Sequence, residues 1–244
     1  MTTIASPQNE KLKLVRKLRE RKHREREGLF ASEGEDLVEA GLAAGSEPRF
    51  LLTAAGSGLA QRWGGDEVGP ELLDGVSSLG SGTRAIAVWQ LSWSAAPAAP
   101  CVYLHGVGDP GNVGTIVRTA HALLGSPVAV GPGCADPFSP KAVRGSMGSL
   151  FAQPPARAVV GETPAPRAAL VAQGGAGIEA LAGVATICLG AERQGLPKDV
   201  LEVCDVEVTI PLRPGVESLN VGAAAAIACE RLSSPAMSEE RPGA

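Results

Sequence analysis

Aromatic residues are scarce in this chain, with one Tyr, four Phe and three Trp among 244 residues. A stacking platform for nucleobases is therefore not expected, and a nucleic-acid partner would be held mainly by polar and backbone contacts. Histidine is scarcer still. His23, His105 and His121 have neither an i,i+4 partner nor a neighbouring carboxylate cluster, so no metal is expected. The five cysteines, Cys101, Cys134, Cys188, Cys204 and Cys229, form no C-x-x-C pair, which argues against a disulfide framework and a zinc site. No apolar run approaches the roughly 18 residues of a membrane span. The opening MTTIASPQNEKLKL has no apolar stretch after its charges, so no signal peptide is expected and the expected location is the cytoplasm. A large charge surplus is also missing: 22 Lys plus Arg against 26 Asp plus Glu leave −4, which excludes a wholesale basic polymer-binder. What remains, 44% apolar and 20% charged, is ample for a packed core in one large or two small domains.

The charge is unevenly placed. Residues 1–27 carry nine cations (Lys11, Lys13, Arg16, Lys17, Arg19, Arg21, Lys22, Arg24, Arg26) against four acids, a local +5 that leaves −9 for the rest. Leu12, Val15 and Leu18 recur at helical spacing, so residues 8–27 read as one helix with a narrow apolar stripe and a broad cationic face. A merely solvated helix face is the plain alternative. Gly28 closes that helix. A strand at 29–34, a helix at 35–44, a strand at 49–53, a helix ending near Gly75 and a strand at 85–90 then complete a small α/β unit. The Pro/Ala stretch SWSAAPAAP at 92–100 reads as a linker and sets a boundary near residue 95.

From Cys101 the pattern restarts with strand 101–107, helix 112–124, strand 128–131, helix 140–149 and strand 185–190. Strand 206–212 and a small-residue helix 218–232 follow, then a frayed polar tail. Alternation of this kind predicts an α/β fold with a mostly parallel sheet and ligands at the strand C-termini. The expected division is 1–95, 96–234 and a disordered 235–244.

Three loops sit where such ligands bind. The first, His105 to Ala120, contains G-x-G-x-x-G (Gly106, Gly108, Gly111) as a dinucleotide-binding turn would, with Asp136 as the acid about 20 residues on. Pro110 lacks an N–H there and Asp109 adds a negative charge, which suits a pyrophosphate poorly. The loop reads better as a turn whose Asn112 caps a helix with Val113, Ile116, Val117, Ala120, Leu123 and Leu124 on its core stripe. Arg118 lies roughly 200° around the axis from Ile116, on the exposed side. The second loop, Leu189 to Pro197, brackets Glu192 between Gly190 and Gly195, which permit positive φ and close main-chain approach. In the third, Ile210 to Gly222, Pro211 and Pro214 stop a central strand, and Ser218 is the expected cap of a helix lined by Gly222 and Ala223 to Ala226.

Together the loops resemble the three signature motifs of the SpoU (TrmH-like) family of RNA ribose 2′-O-methyltransferases in the SPOUT class. Asp109-Pro110-x-Asn112-x-Gly114-x-Ile116-x-Arg118-x-Ala120 is similar to the first motif and Gly190-x-Glu192-x-x-Gly195-Leu196 to the second. Ile210-Pro211 with Ser218-Leu219-Asn220-Val221 is similar to the third, and the likeness spans residues 101–232. The front, with Ser6-Pro7-x-Asn9, the basic helix, and Gly28-Leu29-Phe30 before Glu33-Gly34, resembles the L30e-like RNA-binding domain that many members carry. The resemblance implies a SPOUT α/β domain with a deep trefoil knot, an exception to the unknotted norm, in a homodimer that binds S-adenosylmethionine. As cofactor contacts it implies Leu189, Gly190, Ala191, Glu192, Gly195, Ile210, Leu212, Ser218 and Leu219. For the chemistry it implies Arg118, Asn112, Glu192, Ser218 and Asn220, with Glu192 fixing Arg118 or the second loop. For RNA it implies Lys11, Lys13, Arg16, Lys17, Arg118 and Arg144. Ribosomal RNA is favoured over transfer RNA, since the front resembles that of ribosome-directed members. Two other readings stay open: a dinucleotide-dependent oxidoreductase and a catalytically idle RNA-binding protein.

Overall fold

The computed structural model describes residues 2–78 and 81–233; the expected tail at 235–244 lies outside them. The chain gathers into two compact units. One holds residues 1–93, 109–118 and 135–154, the other residues 94–108, 119–134 and 155–244.

The first unit opens with β1 (Thr3–Ile4), α1 (Glu10–Lys17), α2 (Arg21–Glu27) and β2 (Leu29–Glu33). It continues with α3 (Glu35–Ala43), β3 (Phe50–Ala54), α4 (Leu59–Trp63), β4 (Asp66–Val68), α5 (Pro70–Asp74) and β5 (Ala85–Gln90). Its sheet runs β1-β4-β3-β5-β2, with β5 antiparallel to both neighbours and the other pairs parallel. Leu12, Val15 and Leu18 are buried with Leu52, Val68 and Ile86 in one core, as the helical spacing predicts.

The single basic helix expected over 8–27 is two helices. Asn9 Oδ1 accepts from Lys11 N (2.9 Å) and starts α1, a first-turn cap. Tight turns from Arg19 N to Arg16 O and from Glu20 N to Lys17 O end it, and Glu20 is extended (φ −96°, ψ 133°) before α2 begins. The break frees the carbonyls of Leu18 and Arg19, and Arg24 Nη1 donates to both (2.7 and 2.8 Å). Arg24 also donates through Nε and Nη2 to Asp136 Oδ2 (2.8 and 2.6 Å) and is only 3% exposed. Arg24 thus leaves the cationic face, because a buried guanidinium needs its fork of donors satisfied and the helix break supplies acceptors. Asp136, weighed as the acid of a dinucleotide-binding turn, is its counter-ion.

The second unit is built on β6 (Cys101–Leu104). It is followed in the chain by α6 (Pro110–Leu124), which begins in the first unit and ends in the second, and by β7 (Val128–Val130). Next come α7 (Pro140–Ser146) and α8 (Ser149–Ala152) of the first unit, then β8 (Ala156–Arg157), β9 (Arg167–Leu170), β10 (Thr186–Leu189), α9 (Lys198–Leu201), β11 (Val206–Val208) and α10 (Val221–Ser233). The sheet order is β11-β9-β10-β6-β7-β8, and every pairing is parallel. Cys101, Tyr103, Ala129, Ala169 and Cys188 form part of its core.

Several expected boundaries move. β6 stops at Leu104 because the chain turns at Gly106, whose φ is +68°. The helix expected over 140–149 divides because Met147 and Gly148 are left-handed (φ 46° and 88°), and a Cβ at Gly148 would stand 2.3 Å from Ala40 Cβ. Sequence pattern places no strand between 131 and 185, yet β8 and β9 lie there. Leu123, expected on the core stripe, is 40% exposed. The expected linker is tethered, with Ser94 N donating to Pro155 O (2.9 Å) and Ser94 paired with Ala156.

Candidate functional site

The C-terminal ends of β9 and β10, with the loop after β11, enclose a cavity of about 500 Å³ in the second unit. That volume lies in the range of small-molecule sites, roughly 300–1,000 Å³. Leu189, Gly190, Ala191, Glu192, Gly195, Ile210, Leu212, Ser218 and Leu219 all line it, so residues singled out from two separate loops share one wall. The loop after β10 is a narrow hairpin: Ala191 and Gly195 exchange both backbone hydrogen bonds (3.1 and 2.8 Å), with Gly195 at φ +67°. A Cβ at Gly190 would stand 2.2 Å from the Gly195 carbonyl carbon and 2.4 Å from its oxygen. Only glycine lets the two strands of this hairpin close, which is the physical content of the Gly190/Gly195 bracket.

The third loop reaches the second through side chains. Asn220 Nδ2 donates to Glu192 Oε1 (3.1 Å), while Asn220 Oδ1 accepts from Gly222 N (2.9 Å). Asn220 is therefore the cap of α10 in place of Ser218, which lines the cavity three residues before the helix starts. An Asn side chain at this position caps as well as Ser, and using Asn220 leaves the Ser218 hydroxyl to the cavity. Sequence reading missed the wall formed by Leu170, Val171, Ala172 and Gln173. The strand that carries this wall, Arg167–Leu170, is too short to be told from any apolar run by its pattern.

In the first unit, Asn112 and Arg118 lie on α6. The cap of α6 is Asp109, whose Oδ1 accepts from Asn112 N (3.0 Å), so Asn112 is a first-turn residue rather than the cap. Lys141 Nζ donates to Asp109 Oδ2 (2.7 Å). That hydrogen bond and charge, with the Asn112 amide, hold the Asp109 carboxyl below its ordinary range. The start of α6 crosses α7 at glycines, where a Cβ on Gly114 would stand 2.3 Å from Ala142 O and Gly145 lies against Gly111 O and Gly114 Cα. The crossing carries two exposed guanidiniums, Arg118 on α6 and Arg144 on α7. Glu192, expected to fix Arg118 or the second loop, pairs with Asn220 between the second and third loops.

At the front, pairing consumes much of the positive charge. Lys11 bonds Asp66 and stands 5.4 Å from the Phe50 ring centroid. Lys13 pairs with Glu10 (2.8 Å), Arg21 with Glu25 (2.9 Å), Lys22 with Glu20 (2.7 Å) and Arg26 with Glu27 (2.6 Å). Arg16 donates to Pro7 O (3.0 Å), and Lys17 is exposed. Two buried thiols are poor nucleophiles: burial pushes Cys101 up to about 11 and Cys229 up to about 12. Among the described residues, no group of three or more His, Cys, Asp or Glu is placed to hold a metal, and no helix is long and apolar enough to cross a membrane.

Comparison with known proteins bears on these loops directly. Residues 99–230 match the sequence model of the SpoU rRNA Methylase family, and residues 9–73 match that of the MRM3-like substrate binding domain. The 23S rRNA (guanosine(2553)-2′-O)-methyltransferase RlmP of Bacillus subtilis is 31% identical over 241 residues, covering 93% of this chain and 97% of the relative. An uncharacterized tRNA/rRNA methyltransferase of Mycobacterium tuberculosis is 39% identical over 147 residues, 54% of this chain, and the chain spans about half of its length (51%). The crystal structure of an AdoMet-bound rRNA methyltransferase from Sinorhizobium meliloti superposes with a TM-score of 0.84 at 26% identity, covering 95% of this chain and 97% of that one.

Proposed function

Since the chain belongs to the SpoU rRNA methylase family, we propose that it transfers a methyl group from S-adenosylmethionine to a ribose 2′-hydroxyl of ribosomal RNA. The observation that carries this reading is the single cavity lined by residues of the second and third motif loops. The cavity suits the cofactor. Leu189, Leu196, Ile210 and Leu219 offer apolar walls for a flat ring, while Glu192 and Ser218 add a carboxylate and a hydroxyl. The nine lining residues named above are assigned to hold it, mostly through backbone groups exposed by the glycine hairpin.

S-adenosylmethionine supplies an electrophilic sulfonium methyl, so the protein's task is alignment and charge placement. The attacking hydroxyl must lie roughly 3–3.5 Å from the methyl carbon in line with the breaking bond, and must lose its proton as the new bond forms. Arg118 does not take that proton, because a guanidinium stays protonated and only donates. Its role is a fixed cation that grips the phosphate beside the target ribose and stabilises developing negative charge on the hydroxyl oxygen. Asn112 and Ser218 orient the ribose, and the Glu192–Asn220 bond holds the second and third loops in register.

Residues 1–95 are assigned to substrate binding, with Lys11, Lys13, Arg16, Lys17 and Arg144 contacting RNA alongside Arg118. Residues 96–234 are assigned to catalysis, with the family's knot and homodimer and a cytoplasmic site of action. Ribosomal RNA is preferred because the relative that matches along 97% of its own length carries a 23S rRNA name. The test is to supply methyl-labelled S-adenosylmethionine and RNA extracted from cells lacking the gene, then map 2′-O-methylation. Label at one ribosomal ribose is the expected result. Absence of cofactor binding, or label confined to transfer RNA, would overturn the corresponding half of the proposal.

A further inference from the structure

The cysteines carry no spacing motif, yet the second unit gathers three of the five in one core cluster. Cys101 and Cys188 are fully buried there, and the half-buried Cys204 packs against them. Cys188 is fixed from both sides, because β10 pairs at that residue with Tyr103 of β6 and with Ala169 of β9. Cys204 lies in the turn between α9 and β11, where its N–H donates to Leu201 O (3.0 Å). The Cys188 and Cys204 side chains share a hydrogen bond, and both are free thiols. Arg167 adjoins the same turn: its N–H donates to Asp205 Oδ2 (2.7 Å), and Asp205 N donates to Arg167 O (2.8 Å). The two thiols are unequal. The hydrogen bond from Cys188, then the Arg167 charge, holds Cys204 below its ordinary value, while the same bond and burial push Cys188 up. Cys134 is also half-buried, but burial pushes its thiol up.

The thiolate is the reactive form of cysteine, and a neighbouring cation favours it. A peroxide-sensing site needs one such thiol within reach of solvent and a second beside it to resolve the oxidised product. We propose that Cys204 and Cys188 form such a pair, Cys204 attacking a peroxide and Cys188 resolving it into a disulfide that weakens cofactor binding. In the first step the Cys204 sulfur bonds one peroxide oxygen as the O–O bond breaks, leaving a sulfenic acid and releasing water, or an alcohol from an organic peroxide. In the second, the Cys188 sulfur bonds the Cys204 sulfur as the S–O bond breaks, and the departing hydroxide takes the Cys188 proton as water. The two thiols lose two electrons and the peroxide gains them. Disulfide sulfurs lie about 2 Å apart, well inside any non-bonded contact, so one side of the pair must move. Cys188 is held within the sheet, which leaves the Cys204 turn and α9 to shift. α9 follows the glycine hairpin after only Leu196 and Pro197, and Leu196 and Leu189 both line the cavity. This effect on the cofactor rests on the methyltransferase reading above; formation of the disulfide does not.

The test treats the reduced full chain with hydrogen peroxide, maps its peptides without reductant, and measures S-adenosylmethionine binding by calorimetry before and after. Free thiols should fall from five to three, with one cross-linked peptide joining Cys188 to Cys204 and Cys134 still reduced. Affinity for S-adenosylmethionine should drop about tenfold, the scale of a strained core contact, and return on adding dithiothreitol. Cys204→Ser should form no disulfide and bind the cofactor equally well with and without peroxide, whereas Cys134→Ser should respond as the wild type does. A disulfide through Cys134, Cys204 carried to the sulfinic or sulfonic acid with Cys188 intact, or unchanged affinity in the cross-linked protein would overturn the proposal. If the reduced protein binds no S-adenosylmethionine, the methyltransferase reading fails, while the peptide map still decides the thiol pair.

Discussion

The basic front and the cavity of the second unit were both conspicuous as patterns, yet the fold treats them in opposite ways. At the front, a run of cations in the sequence becomes mostly ion pairs, and one of them, Arg24, becomes a buried strut to Asp136. In the cavity, residues separated by some twenty positions in the chain come to one wall and stay open to a ligand. Counting charge along a chain overstates what a surface presents, because each cation seeks the nearest acceptor as the chain folds. Counting glycines before a turn is safer, because what glycine permits depends on its own backbone and one close neighbour.

The sharpest way to break this contrast is Arg24→Ala. It leaves Asp136 as an uncompensated, largely buried carboxylate, so unfolding in urea should show a loss of about 3–5 kcal/mol. A loss below about 1 kcal/mol would return Arg24 to the class of surface cations. Next comes Arg118→Ala, which should lower methyl transfer about a hundredfold, the typical cost of one preorganised donor; survival of activity within about threefold would remove Arg118 from the chemistry. Gly190→Ala forces the hairpin apart, and an overpacking cost of roughly 1–3 kcal/mol should appear as about a tenfold to hundredfold weaker cofactor affinity by calorimetry, with the fold retained.

A smaller effect is expected for Asn220→Ala, which removes the α10 cap at about 1 kcal/mol and the tie to Glu192. Thermal unfolding should register the first loss and cofactor affinity the second. Smallest is Lys141→Met. Asp109, held below its ordinary range chiefly by the Lys141 hydrogen bond, should titrate nearer that range in the variant by NMR. The sign follows: a carboxyl depressed in the folded state adds stability above its unfolded pKa, and that contribution fades as pH falls through the folded value. Lys141→Met should therefore flatten the acid limb of the stability profile slightly.

Part of the cavity was legible beforehand: Gly190 and Gly195 are local turn signals at a predicted strand end, while Ile210, Ser218 and Leu219 were implied by the family resemblance, and all five line it. The Leu170–Gln173 wall was not. Arg167–Leu170 is too short to separate a buried strand from any apolar run, and its place between β10 and β11 is a property of the sheet. Asn112 and Ser218 were both expected to cap helices, and in each case the neighbouring candidate does so, Asp109 and Asn220 respectively. Several polar residues in a row can satisfy the same helix end, and geometry selects among them. The thiol pair was invisible for a plainer reason: Cys188 and Cys204 have no C-x-x-C spacing to mark them, and they meet only through the packing of the second unit.

By itself the sequence determined what short-range physics controls: the alternation of strands and helices, the helical stripes of α1 and α6, and the turns that need glycine. Tertiary structure alone decided which charges are spent on one another, which strand adjoins which, and where distant side chains meet to leave space. Those outcomes depend on contacts between residues far apart in the chain, whose formation is settled by the packing of the whole unit and not by the neighbours of any one residue.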